Sequence, residues 1–220
     1  MADKKPVEEI IEYIKDKDRI LILGCNECVT VCEAGGKKEV AVLASALRMY
    51  FLNQGQQKQI DERTLERQCD HEYLEEIRDT ADNYDAIVSL ACGVGVQFTA
   101  ETYMNQLVYP GVDTKFLGVT EERGLWTERC QACGTCILAE TAGICPVSRC
   151  AKRLLNGPCG GSTQGKCEIN PELPCAWQLI IDRLKALDRL DDFAKLIPIK
   201  DWSTERAGGP RKVVREDVQS

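Results

Sequence analysis

The stretch RILILGCNECVTVCEAGG, residues 19–36, decides the fold of the first half of the chain. Residues 19–23 are an apolar run between a charged segment and a glycine, which predicts a buried parallel strand. A nucleotide-binding βα unit carries glycines after such a strand, where its loop receives a phosphate. This loop carries Cys25, Cys28 and Cys32 instead. The stretch therefore predicts a dinucleotide-type fold whose first loop binds something other than phosphate.

Strand and helix patterns alternate through the rest of this half. The sequence predicts helices over 37–52, 71–82 and 97–108 and strands around Ile60, over 85–93 and around 115–119. Such alternation predicts an α/β fold with a Rossmann-like, doubly wound parallel sheet. Ligands of these sheets bind beyond the carboxyl ends of the strands, so Cys25, Cys69 and Cys92 are expected to meet at one edge.

Composition and charge exclude several classes of protein. The net charge of −7 and a pI near 5.0 argue against a nucleic-acid partner, which needs clustered Lys and Arg. No run approaches 18 apolar residues, so no membrane span is expected. Residues 1–19 predict an amphipathic helix with Val7, Ile10, Ile11 and Ile14, and they lack the apolar core of a signal peptide. The expected compartment is the cytoplasm.

The dominant chemical feature is the presence of thirteen cysteines beside a single histidine, His71. Clustered thiols in a reducing compartment more often hold metal or perform redox chemistry than form disulfides. One histidine is too few for a two-Cys, two-His zinc finger or a Rieske centre. All-thiolate ligation remains, by iron–sulfur clusters or by zinc. No Ser/His/Asp arrangement is evident, so no catalytic residue is assigned.

The first cysteine set has the spacing Cys25-x2-Cys28-x3-Cys32. Three thiolates this close together can wrap one face of a 4Fe-4S cubane, and the following helix N-terminus favours an anionic group. Cys92 is the first candidate for the fourth ligand and Cys69 the second. A structural four-thiolate zinc site and unliganded buried cysteines are the alternatives.

A second set fills residues 130–175, which hold eight of the thirteen cysteines and are rich in Gly, Pro and turn signals. The spacing Cys130-x2-Cys133-x2-Cys136 matches the first ligands of bacterial ferredoxins, and Cys145-Pro146 follows after a longer interval. The remaining thiols allow two cubanes, or one cubane and a four-thiolate zinc, so two or three clusters are expected in the chain. The further candidate ligands are Cys145, Cys150, Cys159, Cys167 and Cys175.

These patterns divide the chain into three parts. Residues 1–122 form the expected α/β domain with one cluster site. Residues 123–203 form an irregular and α-helical domain that bound metal would staple, because it has too little apolar material for a core. That domain ends in an amphipathic helix over 176–190, on which Trp177, Ile180, Ile181, Leu184 and Leu187 share one face. Residues 204–220 are a polar tail, either disordered or docked on a partner.

Three segments resemble one known family. They are GCNECVTVCEAGGKKEVAVLA (24–44), SLACGVGVQ (89–97) and LLNGPCGGSTQGKCEINPELPCAW (154–177). Together they are similar to methylenetetrahydrofolate reductase C-terminal domain proteins, and more narrowly to the MetV-type iron–sulfur subunits of acetogenic bacteria. The likeness extends over roughly residues 19–202, and its last segment is the most specific.

The resemblance implies an accessory electron-transfer subunit in a hetero-oligomer. Its partner would be an FMN-containing TIM-barrel subunit that reduces methylene-tetrahydrofolate in the methyl branch of the Wood–Ljungdahl pathway, with electrons from ferredoxin or another redox module. This chain would carry no flavin and no folate site. The resemblance also implies one ligand set of Cys25, Cys28, Cys32 and Cys92 and a second that includes Cys130, Cys133, Cys136, Cys159, Cys167 and Cys175. A zinc-stabilised docking subunit and a redox component of a corrinoid or heterodisulfide system are the alternatives.

Overall fold

The computed structural model describes residues 1–206 and 209–218. The chain divides into two compact units, the first from Met1 to Lys115 and the second from Phe116 onward. The predicted first domain boundary lay after residue 122. Positions 207, 208, 219 and 220 of the expected polar tail lie outside the described residues. Within the described ranges, no helix combines the length and apolar character needed to cross a bilayer.

Strands and helices alternate in the first unit and become sparse in the second. The strands are β1 Ala2–Lys4, β2 Arg19–Cys25, β3 Gln59–Leu65, β4 Ala86–Ser89, β5 Val108–Pro110, β6 Val112–Thr114, β7 Leu117–Glu122 and β8 Leu125–Cys130. The α-helices are α1 Val7–Ile14, α2 Cys28–Val31, α3 Lys37–Asn53, α4 His71–Leu74, α5 Arg78–Ala81, α6 Gly93–Thr102, α7 Pro146–Arg149 and α8 Ala176–Ala186. Short 3-10 helices cover Glu75–Ile77, Leu190–Ala194, Trp202–Thr204 and Glu216–Val218.

A parallel four-stranded sheet is the centre of the first unit, in the order β3-β2-β4-β5. It confirms the predicted α/β class and the strands predicted at 19–23 and around Ile60. The chain adds β3 on one side of β2 and then β4 on the other, so the strand order reverses beside β2. In parallel sheets such a reversal leaves a crevice at the carboxyl ends of the two strands, here β2 and β4.

Alternating side chains of β2 pack on opposite faces of the sheet. Leu21 and Leu23 belong to a buried cluster that includes Leu65 and Leu74, together with residues from the helices that follow β3. Ile20 and Ile22 are fully buried as well, and α3 packs against β2 and β3. The predicted helix over 37–52 is confirmed, because its apolar residues recur at the spacing that one buried helix face requires.

The N-terminal segment contains an element that the sequence did not predict. The amphipathic helix is confirmed as α1, with Ile10, Ile11 and Ile14 buried. Ahead of it, β1 pairs antiparallel with β6 to form a small second sheet. Strands of three residues carry too little periodicity to be recognised in a sequence.

The segment after the third strand of the parallel sheet differs from its predicted form. The prediction of a strand over 85–93 is wrong at its end, because β4 stops at Ser89, where the Ser89 hydroxyl accepts a hydrogen bond from the Ala91 amide. The prediction of a helix over 97–108 is wrong in its bounds, because α6 already begins at Gly93. Gly95 permits this early start, since a Cβ there would lie only 2.6 Å from Ala91 and 3.0 Å from Gln68.

The second unit opens with a β-hairpin, β7 paired antiparallel with β8. The strand predicted around 115–119 is confirmed as β7, but it lies in this hairpin rather than in the parallel sheet, and β8 was not predicted. The cause is exposure: every residue of β7 is exposed, so the strand lacks the buried face that produces an alternating pattern. Gly124, with φ +89°, supplies the left-handed residue that the turn needs.

The helix α8 organises a small core in the second unit. Trp177, Ile180 and Leu184 are buried with Ala142, which confirms part of the predicted helix face. The helix ends at Ala186, short of the predicted residue 190, and Leu187 is 45% exposed rather than on the buried face. Cys150 and Cys175 pack against this core, so thiols stand next to its few large apolar groups.

Candidate metal centres

The carboxyl ends of β2 and β4 bring three predicted ligands to one edge of the parallel sheet. Cys25 is the last residue of β2 and is 5% exposed. Cys28 begins α2 and is exposed, and Cys92 directly precedes α6 and is half-buried. Because β2 and β4 are neighbouring parallel strands, these thiols surround the crevice at the reversal of strand order.

Electrostatics show which thiols at this edge are neighbours. Burial raises the pKa of the Cys25 thiol, and backbone hydrogen bonds from Glu27 and Gln68 lower it. The thiols of Cys69 and Cys92 then act to raise it again. Burial likewise raises the pKa of the Cys28 thiol, and Cys92, Cys25 and Cys69 add to that rise. The Cys69 thiol, which the sequence ranked second as a fourth ligand, therefore belongs to this group.

Cys32 lies apart from that group. It is 7% exposed, and its sulfur accepts a hydrogen bond from the amide of Ala2 on β1 at 3.3 Å. The same sulfur lies 3.5 Å from the carbonyl oxygens of Cys28 and Val29. The side chain is thus engaged with the backbone of its own helical turn and with the N-terminal strand.

The cysteine loop approaches the segment after β4 very closely. At Gly35 an added Cβ would lie 1.9 Å from the carbonyl oxygen of Leu90. Only glycine fits there, so the GG pair that follows the three cysteines serves to pack their loop against the chain that leads to Cys92.

Gln68 is a buried polar residue that the sequence analysis missed. It is 0% exposed, and its amide nitrogen donates to the carbonyls of Leu23 and Gly24, at 2.9 Å each. Its amide oxygen accepts from the hydroxyls of Ser89 at 2.6 Å and Thr99 at 3.3 Å. One side chain therefore ties together the end of β2, the end of β4 and α6. Nothing in the local pattern distinguishes such a glutamine from an exposed one.

The second unit gathers four more predicted ligands around one small cavity. The cavity is lined by Cys150, Cys159, Cys167 and Cys175, with Trp177 beside them. Backbone hydrogen bonds shape its wall: the Cys167 amide donates to Leu173 and the Cys175 amide to Gly165. Seven residues lie between Cys159 and Cys167 and seven between Cys167 and Cys175, so turns of the chain bring these thiols together.

A charged pair covers this four-cysteine cavity. Lys152 forms an ion pair with Glu168, whose carboxylate accepts a hydrogen bond from the Cys159 thiol at 3.4 Å. The bond to Glu168 is the main cause of the raised pKa of Lys152, and the nearby Cys159 and Cys167 thiols raise that pKa further. The lysine ammonium therefore lies near the Cys159 and Cys167 thiols while it is paired with Glu168.

The Cys130–Cys136 loop has features common to cluster-binding turns. The amide of Ala132 donates to the Cys130 sulfur at 3.3 Å. Ala132 and Gly134 both have positive φ, +51° and +87°, which directs consecutive amides of the loop to one side. Amide-to-sulfur hydrogen bonds of this kind are the outer contacts that tune an iron–sulfur cluster.

The segment from Lys200 to Arg211 forms hydrogen bonds to this loop. Lys200 is 4% exposed, and its ammonium donates to the Cys133 carbonyl at 2.9 Å. The Thr204 hydroxyl accepts from the Thr135 amide at 3.0 Å. Arg211, in the described part of the polar tail, donates to the Ala132 carbonyl. A buried ammonium therefore lies directly behind the Cys130–Cys136 loop, and no local sequence pattern predicts it.

Cys145 precedes α7, which packs on the end of β8. The hydroxyl of Ser148 donates to the carbonyl of Arg129 at 2.7 Å. Cys145 is therefore three residues from a contact with the residue that precedes Cys130. This arrangement favours grouping Cys145 with the Cys130–Cys136 loop and Cys150 with the cavity.

None of these groups is a preformed site for a single ion. Within residues 1–206 and 209–218, no three or more His, Cys, Asp or Glu side chains have the arrangement needed to hold a metal ion. A zinc ion with Zn–S bonds of about 2.3 Å needs sulfurs about 3.8 Å apart. A 4Fe-4S cluster binds each thiolate through a different iron, so its sulfurs lie farther apart.

Comparison with known proteins relates the second unit to one family. Residues 109–203 match the family model described as methylene-tetrahydrofolate reductase C terminal. No curated protein and no solved structure matches the chain. The matched range contains all eight cysteines from Cys130 to Cys175 and excludes those of the sheet edge. The similarity to the methylene-tetrahydrofolate reductase C-terminal family is therefore confined to residues 109–203.

Proposed function

We propose that this chain is the iron–sulfur electron-transfer subunit of a methylenetetrahydrofolate reductase complex, of the MetV type. The observation that carries the proposal is the cavity lined by Cys150, Cys159, Cys167 and Cys175, inside the region that matches the reductase family. A flavin-containing methylenetetrahydrofolate reductase needs a source of electrons. Grouped thiols are the ligands that iron–sulfur clusters use.

The chemistry of the donor sets suits such a cluster. The grouped ligands are thiols, and no histidine takes part, since His71 stacks edge-on against Phe98 with ring centroids 4.5 Å apart. Positive groups stand beside the thiols of the second unit, Lys152 at the cavity and Lys200 at the Cys130–Cys136 loop. Cations stabilise the negative charge of a thiolate-ligated cluster, and amide-to-sulfur bonds do the same.

A bound cluster would supply one-electron transfer, and the residues of the chain would set where and at what potential this happens. In the second unit, Cys150, Cys159, Cys167 and Cys175 would hold one cluster, and Cys130, Cys133, Cys136 and Cys145 another. Trp177 and the apolar residues of α8 form the apolar wall of the cavity, and the Lys152–Glu168 ion pair lies at its more exposed side. The sheet-edge thiols of the first unit would hold a third.

The proposed partner is an FMN-containing subunit that reduces methylene-tetrahydrofolate in the methyl branch of the Wood–Ljungdahl pathway. Electrons would come from ferredoxin or another redox module in a reducing cytoplasm, where free thiols persist. The complex would be a hetero-oligomer in which this chain binds neither flavin nor folate. The family match supports the reductase, and the grouped thiols support the electron-transfer role.

Metal analysis of the full chain, purified without oxygen, tests the proposal. We expect about eight irons per chain for two clusters and about twelve for three, with broad visible absorbance that dithionite bleaches. Cys167→Ala should remove one cluster's iron, and Ser162→Ala, at the same cavity, should leave iron unchanged. Colourless protein that contains only zinc would instead indicate a docking subunit and would refute electron transfer.

A reconstituted assay tests the partner. The full chain should accelerate ferredoxin-dependent reduction of the FMN of a methylenetetrahydrofolate reductase subunit, and Cys167→Ala should slow it. Equal rates with and without this chain would contradict the assignment to that complex. Iron-loaded protein that is inactive here but reduces a corrinoid or heterodisulfide partner would favour the alternative system.

A further inference from the structure

The strand order of the parallel sheet brings together three cysteine-bearing segments, those that follow β2, β3 and β4. β2 lies between β3 and β4, and all three run in the same direction. Cys25 ends β2, Cys69 follows the end of β3 by four residues, and Cys92 follows the end of β4 by three. The segments after β3 and β4 therefore flank the end of β2 from opposite sides.

Hydrogen bonds hold the segment after β3 against the cysteine loop. The Asn26 amide donates to the carbonyls of Leu65 and Glu66, and the Cys25 sulfur lies 3.8 Å from the Glu66 carbonyl. Gln68, next to Cys69, is bonded to the ends of both β2 and β4. The chain has little freedom to place Cys69 elsewhere, because its neighbour is fixed at two strand ends.

Gly95 has no side chain, which allows α6 to approach Gln68 closely. An added Cβ at Gly95 would lie 3.0 Å from the Cβ of Gln68. The first turn of α6, which begins next to Cys92, therefore rests directly on the residue before Cys69. This contact places the segment that carries Cys69 next to the segment that carries Cys92, beyond the end of β2.

Arg67 adds a positive charge at this edge. Its guanidinium lies 3.7 Å from Glu27, the residue before Cys28, and 3.8 Å from Asp70, the residue after Cys69. Its buried Nε has no hydrogen-bond partner among the residues that the structure describes. An unpaired buried donor on a cation suits an adjacent anionic group.

We propose that Cys25, Cys28, Cys69 and Cys92 are the four ligands of the sheet-edge metal site, and that Cys32 is a structural thiol. Cys32 is 7% exposed, and its sulfur faces the carbonyl oxygens of Cys28 and Val29 in its own helical turn, at 3.5 Å each. Gln68 acts as the positioning residue for Cys69. The inference rests on the proposed function only in requiring that a metal is bound, and the identity of the metal does not alter the ligand set.

Paired substitutions in the full chain test the assignment. Cys69→Ala should lose the metal of one site, about four irons if that site holds a cubane. Cys32→Ala should keep the metal content of the wild type. The metal retained in the second unit and the far-UV circular dichroism report whether each variant is folded. Gln68→Glu, which keeps the shape but loses the amide donor, should change the EPR signal of the sheet-edge cluster more than the Gln57→Glu control.

The outcomes separate this inference from the proposed function. Loss of metal from Cys32→Ala in a folded chain would overturn the assignment, and so would full retention by Cys69→Ala. Loss of one zinc from Cys69→Ala, with retention by Cys32→Ala, would support the ligand set while refuting electron transfer. A wild-type chain without any metal would overturn both.

Discussion

Replacing Gln68 by leucine is the most informative single perturbation of the first unit. The side chain is fully buried, and it makes two bonds to backbone carbonyls and accepts two from hydroxyls. Leucine has nearly the same size, so Gln68→Leu removes the polar contacts without leaving a large cavity. The segments that carry Cys25, Cys69 and Cys92 then lose the hydrogen bonds that join them through Gln68.

The expected magnitude follows from the partners that remain. The Leu23 carbonyl keeps a bond from the Leu90 amide at 2.8 Å, so the main losses are at the Gly24 carbonyl and the Ser89 hydroxyl. Each buried group that loses its partner costs about 1–3 kcal/mol. Leucine recovers about 1–2 kcal/mol, because no amide is then buried. The free energy of unfolding should fall by roughly 3 kcal/mol.

Thermal unfolding of the metal-free full chain measures this change. A chain of this length loses about 2–4 °C in melting temperature per kcal/mol, so Gln68→Leu should melt roughly 6–12 °C below the wild type. The matched control is Gln57→Leu, at an exposed glutamine of the same unit, which should shift the melting temperature by less than about 2 °C. Equal shifts in the two variants would refute the view that Gln68 joins the strand ends.

Two further predictions concern charge. Lys200→Met should make the cluster at the Cys130–Cys136 loop harder to reduce, by about tenfold in the reduced-to-oxidised ratio at fixed potential or ~59 mV, whereas Lys200→Arg keeps the cation; an EPR-monitored redox titration that finds equal potentials would contradict this role. Asp85 accepts hydrogen bonds from the Arg19 side chain and amide, which lower its carboxyl pKa to about 2. A carboxyl pKa depressed in the folded state stabilises the protein above its unfolded value of about 3.9, and this stabilisation disappears as the pH falls toward 2. Asp85→Asn should therefore melt below the wild type at pH 7, the gap should close between about pH 4 and pH 2, and a gap that persists at pH 2 would contradict the assignment.

The sequence predicts β2 and β4 of the parallel sheet because these strands are buried on both faces, whereas the short, half-buried β5 was not predicted. The apolar runs of β2 and β4 need no partner to be recognised, and the spacing in α3 identifies its buried face. The β7–β8 hairpin was missed for the opposite reason, since its residues are largely exposed and their pattern reflects no core. A strand can be predicted from a sequence when its burial imposes an apolar pattern.

The thiol ligands of the candidate sites are predictions from local spacing, and the structure adds contacts that such spacing does not contain. Spacing within a loop indicates Cys130, Cys133 and Cys136, because neighbouring ligands share a short segment. Spacing also placed Cys32 with Cys25 and Cys28, although its sulfur is bonded to the backbone of Ala2. Local spacing does not register contacts made across a sheet, so the place of Cys69 depends on strand order and on Gln68.

The distribution of the sheet-edge thiols over three separate βα connections has a consequence for how the protein matures. During synthesis, Cys25 and Cys28 emerge long before Cys92, and they have no common pocket until β2, β3 and β4 have paired. The Cys130–Cys136 turn needs no such long-range assembly, since its thiols span seven residues. A metal bound at the proposed sheet-edge site would therefore have to enter after the strands have paired, and a cellular insertion machinery would meet a folded pocket rather than a nascent peptide.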